Sequence, residues 1–207
     1  ERSLAQGSII TLIHALPSDA YDLEKMLLVM EGERMTKVAL LLHKIGADIG
    51  FLLSREGATF GVDVWEKSFA HFVRAIKCYI NDSGASAHTK DEIFEYVKTY
   101  YARLQRLVER MRVGDKIAAI FQKALLAIIS KMVILDAVRS AQLVAELFID
   151  DLGIIVDRLR QERGGEVLFN FLRAIASGQL SVFDPISGPV LMANLNTDQH
   201  QLYLTLM

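Results

Sequence analysis

Cysteine and proline are nearly absent from this 207-residue chain, which has one Cys and three Pro. The single Cys78 has no internal partner, so no disulfide staples the fold. That usage fits a reducing compartment, the cytoplasm or a host cytosol. No proline lies between Pro17 and Pro185, so that span is free of the residue that breaks helices most strongly. Net charge is also small: 23 Lys+Arg against 25 Asp+Glu leave −2. This gives no general attraction to nucleic acid or to anionic lipid, and a nucleic-acid partner is not expected. The chain begins with Glu1, not Met, and is read as a processed product or a portion of something longer. No signal-peptide pattern is visible at this start.

Catalytic spacings are missing too. There is no Gly-x-Ser-x-Gly, no phosphate- or dinucleotide-binding glycine loop, no Glu-x-x-His and no His-x-x-x-His. His14, His43 and His71 fall on different helices, and the last two lie beside apolar seams, so they read as surface or boundary histidines. Glu146, Asp150 and Asp157 share a helical face. That face is opposite the apolar one and close to Arg158 and Arg160, which fits a solvated acidic stripe better than a magnesium site. Lys77 precedes Cys78, but adjacent helix positions do not face each other, so the thiol reads as buried or at a boundary. No catalytic residue, cofactor or metal ligand is assigned.

Apolar content, by contrast, is abundant. Hydrophobic residues make up 52% and mean hydropathy is +0.27. The surplus needs a large core, a partner surface or a membrane. The greasiest stretch is KIAAIFQKALLAIISKMVIL, residues 116–135, in which Lys116, Lys123 and Ser130 recur on one narrow stripe. A helix apolar on most sides must be surrounded by protein or lipid. The spacing predicts an all-α bundle of about seven or eight helices around this run as a buried central helix. A spanning helix needs about 20 mostly apolar residues; Lys123 and Lys131 interrupt this one and Asp136 ends it.

Other elements follow from punctuation and period. Residues 3–15 form a first helix closed by Pro17, and Ser18 or Asp19 offers a cap to a second over 19–31. In a third helix, 33–54, Met35, Val38, Leu42, Ile45, Ile49 and Leu52 form a heptad seam, the pattern of shallow-angle packing. Gly46 and Gly50, four apart beside Asp48, imply close packing or a bend in a soluble helix. After a loop at 54–61, Trp65, Phe69, Phe72, Ile76 and Tyr79 repeat the rhythm over 62–80. These aromatics can line a ligand pocket but more often fill a core.

Residues 81–88 are a linker. Thr89 and Glu92 have capping-box spacing ahead of Ile93, Val97, Tyr100, Leu104, Leu107 and Met111. Gly114 ends this fifth helix and Asp115 caps the sixth. A seventh carries Val144, Phe148, Leu152, Ile155 and Leu159 and is stopped by Gly164-Gly165, and an eighth spans 166–177. The bundle is thus assigned to 1–178. Residues 179–207 are an apolar segment with no Lys or Arg, in which Leu202, Leu204 and Leu206 alternate with other residues as in a strand. A short C-terminal β-hairpin is compatible with that pattern. A solvated tail would be charged, so this one is expected to pack on the bundle or on a partner.

These features point to a non-catalytic protein–protein interaction or regulatory domain, part of a larger protein or assembly, whose partner is another protein or a second copy of itself. Arg103, Arg106 and Arg110, on one stripe of the fifth helix, and Leu202, Leu204 and Leu206 in the tail are the candidate partner-binding residues. The alternative is a membrane-active bundle. There, run 116–135 and residues 141–156 would form a hairpin that inserts conditionally, because bundle and lipid are comparable sinks for apolar surface.

Overall fold

The computed structural model describes residues 2–17, 20–55, 61–82, 87–162 and 164–176. The C-terminal hairpin, Leu202, Leu204, Leu206 and His200 therefore lie outside the described residues, as do Ser18 and Asp19. The described chain is all-helical. It has α1 (Arg2–Ala15), α2 (Leu23–Gly32), α3 (Thr36–Arg55), α4 (Val62–Asp82), α5 (Ala87–Val108), α6 (Gly114–Leu126), α7 (Ile129–Leu135), α8 (Ala137–Leu147), α9 (Leu152–Arg160) and α10 (Glu166–Ala176). A 3-10 turn, Ile149–Asp151, precedes α9.

The chain divides into two compact units, each made of two stretches: residues 1–84 with 107–124, and 85–106 with 125–207. In the first unit, α3 and α4 form the most extensively packed pair. The predicted α4 seam is wholly inside, with Trp65, Phe69, Phe72, Ile76 and Tyr79 all buried. Phe121 of α6 meets the rings of Phe69 and Phe72 at 5.2 and 5.5 Å between centroids. The glycine pair of α3 lets α4 come close. A Cβ on Gly46 would sit 2.5 Å from the ring of His71, and one on Gly50 would sit 2.8 Å from Trp65. The Gly50 N–H also donates to the buried Ser68 Oγ at 2.9 Å. At the other end of α3, Ile13 of α1 and Leu27 of α2 join Val38, Ala39 and Leu42 in one apolar cluster, flanked by Met26, Met30 and Met35.

Local chemistry explains the boundaries. Asp22 caps α2 by accepting from Lys25 N–H, closer to the helix than the expected Ser18 or Asp19. After α2 the chain reverses through Arg34, which holds a left-handed φ of 54°, and Met35 N–H closes the turn onto Met30 O at 2.8 Å. Gly32, expected to separate α2 from α3, is instead the last helical residue. α5 starts at Ala87, two residues before Thr89, so Thr89 lies inside the helix and is not its N-cap.

In the second unit, α10 packs on α7, α8 and α9, burying Leu168, Phe171, Leu172 and Ile175. Three ion pairs tie α5 to the start and end of α8: Lys90 with Asp136, Asp91 with Arg139, and Lys98 with Glu146. They lie at the surface and contribute little individually. Ile93, Val97, Tyr100 and Leu104 supply the buried side of α5.

Two expected helices are divided. Run 116–135 is α6 plus α7, separated at Ala127–Ile128, where Ile128 N–H donates three residues back to Leu125 O. No Gly or Pro marks the break, and Ile128 and Ile129 are fully buried across it. Nor is the run sheathed all round. Ala118, Ala119, Lys123, Ala127 and Lys131 are exposed and Ile134 is 71% exposed, whereas Ser130 is buried and donates to Glu162 Oε1 at 2.8 Å. The seventh expected helix breaks at Phe148, whose ring meets that of Tyr101 at 4.5 Å between centroids, tilted by 52°. Gly164 and Gly165 adopt φ of 90° and 67°, a conformation costly for any other residue, and so end that region as expected.

Candidate functional site

The most distinctive polar constellation lies in the first unit, between α2, α3 and α4. His43 of α3 and His71 of α4 are buried, at 0% and 6% exposure. Their placement on or near the surface is therefore corrected. Gly46, one turn beyond His43, provides the space the His71 ring occupies. The two Nδ1 atoms are 3.1 Å apart and the ring centroids 5.4 Å. Each ring then reaches α2 with its other nitrogen: His43 Nε2 lies 3.0 Å from Glu31 Oε1, and His71 Nε2 lies 3.2 Å from Glu24 Oε1. Both carboxylates sit on the exposed side of the site.

The chain Glu31–His43–His71–Glu24 has a definite proton requirement. A nitrogen facing a carboxylate oxygen must carry hydrogen, and two facing Nδ1 atoms share one between them. Three ring protons satisfy every contact. Two neutral rings supply only two, and two imidazoliums supply four, placing N–H against N–H. Burial pushes both histidines below their ordinary value of 6.5. The hydrogen bond and charge of Glu31 oppose this at His43. At His71 the charge of Glu24 opposes it, while a charge on His43, and that of Arg74, add to it. Both rings are shut away from bulk solvent, so the arrangement can store or pass protons where three helices meet rather than attack a dissolved substrate.

Of the residues expected to bind a partner, the three arginines are among the described residues and the three leucines are not. Arg103 and Arg106 lie on the exposed side of α5. α5 ends at Val108, so the helical stripe does not continue to Arg110, which is exposed in the following turn and belongs to the other unit. Glu146, Asp150 and Asp157 fall on α8, the 3-10 turn and α9 and are all exposed; Glu146 pairs with Lys98 and Asp157 with Arg160. Among the described residues no group of three or more His, Cys, Asp or Glu is arranged to hold a metal. Cys78 is half-buried. An open groove of about 440 Å³ in the second unit is lined by Asp91, Glu95, Lys98, Arg139 and Gln142 among others, and its two cations are already paired.

The histidine pair escaped sequence reasoning because its members are 28 positions apart and share no motif. The available signal was Gly46. A small residue inside a helical seam marks where a neighbour comes close, and His43 is one turn away.

Large apolar side chains also reach solvent unevenly. Among the described residues, five of the eight that are exposed lie in or beside α1 and α2: Leu4, Leu12, Leu16, Leu28 and Val29. No single described helix is long and apolar enough to cross a membrane; α6 and α7 together have that length and composition but are bent by 44° at their junction. The chain matches no protein-family model, no curated protein and no solved structure.

Proposed function

We propose that this chain is a non-catalytic helical domain that docks another protein, with the outward sides of α1 and α2 as the docking surface. One observation carries this. Leu4 and Leu28 are 78% and 75% exposed, and Leu12, Leu16 and Val29 are exposed with them, on or just after two helices whose inner sides pack on α3. Single exposed leucines are ordinary, but their concentration along two consecutive helices packed on the same neighbour favours an interface. The occupant that fits is an amphipathic helix, from another protein or from a second copy of this chain, laying its apolar face on these side chains.

The test replaces Leu4, Leu12 and Leu28 by Asp, singly and together. Their exposure predicts little loss of stability and a clear loss of assembly. Sedimentation velocity measures self-association, and titration against an identified partner measures docking. Triple variants that keep both wild-type oligomeric state and wild-type affinity refute the docking surface. Arg103, Arg106 and Arg110 (to Glu) and Leu202, Leu204 and Leu206 (to Ser) are proposed as further partner contacts, tested in the same assays.

A second function is supported by the combined length of α6 and α7. There the apolar run, with the helix after it, leaves the bundle for lipid. Dye-loaded vesicles of anionic lipid decide it: leakage at low or neutral pH supports insertion, and intact vesicles at both refute it.

A further inference from the structure

The Glu31–His43–His71–Glu24 chain has no role in the docking surface just described. We propose that it is a proton-operated latch, in which acid drives the His43 and His71 rings apart and releases α2 from α3 and α4.

The argument begins with proton capacity. With the two Nδ1 atoms 3.1 Å apart, the closed arrangement holds at most three ring protons, since a fourth places two N–H groups head to head. Once α2 has lifted and the rings face water, each becomes a full imidazolium and together they hold four. Opening therefore takes up at least one proton whenever the pH is below the histidine range. If the closed rings are both neutral, opening takes up two. Their burial favours this neutral closed form, since both lie below the ordinary histidine value for that reason first. The charged groups facing the pair are Glu24 and Glu31 from α2 and Arg74 from α4. The carboxylates favour a charged ring, while Arg74 and the second histidine oppose it. α1 reaches this end of α3 through neutral groups: Ile13 in the apolar cluster, and Gln6, whose Oε1 accepts the Lys37 N–H at 3.0 Å.

The geometry also says which element yields. α3 and α4 are locked together along their length by the Gly46 and Gly50 contacts and by the Trp65, Phe69 and Phe72 face. α2 has ten residues, only one of them, Leu27, fully buried. It lies over the Nε2 edges of both rings, and its two carboxylates are exposed while His43 is wholly buried and His71 nearly so. A ring that must leave its partner exits past α2. Lifting α2 uncovers Leu27, Val38, Ala39 and Leu42 with Met26, Met30 and Met35, an apolar surface rich in adaptable methionine. Acid thus converts a covered cluster into an accessible one, a two-state element biased by protonation.

The test is hydrogen exchange on the full chain from pH 8 to pH 5, corrected for intrinsic exchange rates. The α2 amides are followed, with α7 of the second unit as an internal reference. One to two protons taken up on opening predict that α2 protection falls by about ten- to a hundredfold per pH unit below the histidine range, while α7 holds. Constant α2 protection over the whole range overturns the latch. In His71→Asn the Nδ1 conflict is gone, and the slope should drop by about tenfold per pH unit; an unchanged slope overturns the proposal as well. Should that variant fail to fold, imidazole nitrogen NMR of the wild-type chain decides. Two imidazoliums appearing only as α2 amides lose protection support the latch. Two imidazoliums beneath a fully protected α2 overturn it. The exchange is run at a concentration where sedimentation shows a monomer, so the latch and the docking surface stand or fall separately.

Discussion

Gly46 shows how one missing atom shapes the site. A methyl group there would lie within 3 Å of three atoms of the His71 ring. Gly46→Ala is therefore expected to displace that ring and to cost about 1–3 kcal/mol, the range for overpacking a filled interior. Gly7 is the control. It lies in the interior of α1, is exposed, and would bring an added Cβ within 4 Å of nothing. Gly7→Ala is expected to gain about 0.5–1 kcal/mol by lowering the entropy of the unfolded chain. Urea unfolding of the full chain checks both signs, and equal effects at the two glycines would show that the close approach does not matter. The spacing of Gly46 and Gly50 was legible as a packing signal. What they pack against was not, because a helix seam names its own face and not its neighbour's side chains.

Elements follow the same division. The apolar period located nearly every helix, and the α4 seam is buried residue for residue. Breaks were harder where no Gly or Pro announces them. α7 and α8 are separated by Asp136, in extended backbone at φ −161°, whose carboxylate accepts from Arg139 N–H at 3.0 Å. The capping residue was visible in the sequence, but a lone Asp in an apolar run reads equally well as a surface position. Asp136→Ala is expected to destabilise the chain by about 1–2 kcal/mol, chiefly through the lost cap. Its ion pairs with Lys90 and Arg139, 3.9 and 3.7 Å long, add little. The readout is a lower urea midpoint with an unchanged slope, and an unshifted midpoint would show that the cap contributes nothing. The break at Ala127–Ile128 has no such marker. It follows from where Ile128 and Ile129 are buried, which local sequence does not encode.

For the whole molecule, the interleaving of the two units governs what can be cut. Residues 1–84 lack Phe121, whose ring lies against Phe69 and Phe72. A fragment ending at Gly84 is expected to lose the sharp thermal transition and to weaken the near-ultraviolet signal of Trp65, the chain's single tryptophan. Restoring residues 107–124 should recover both. A 1–84 fragment with the full chain's signal and midpoint would mean that the contact with Phe121 is dispensable. Composition and the 3.6-residue period by themselves determined that this chain is helical, where most helices lie and which faces turn inward, because those properties depend on neighbours a few positions away. The pairing of His43 with His71, the splitting of two long helices, the ending of the arginine stripe at Val108 and the collection of exposed leucines on α1 and α2 were decided only by the tertiary structure. Each depends on which distant segment occupies the space beside a residue, and burial and proton affinity are properties of that space rather than of the residue alone.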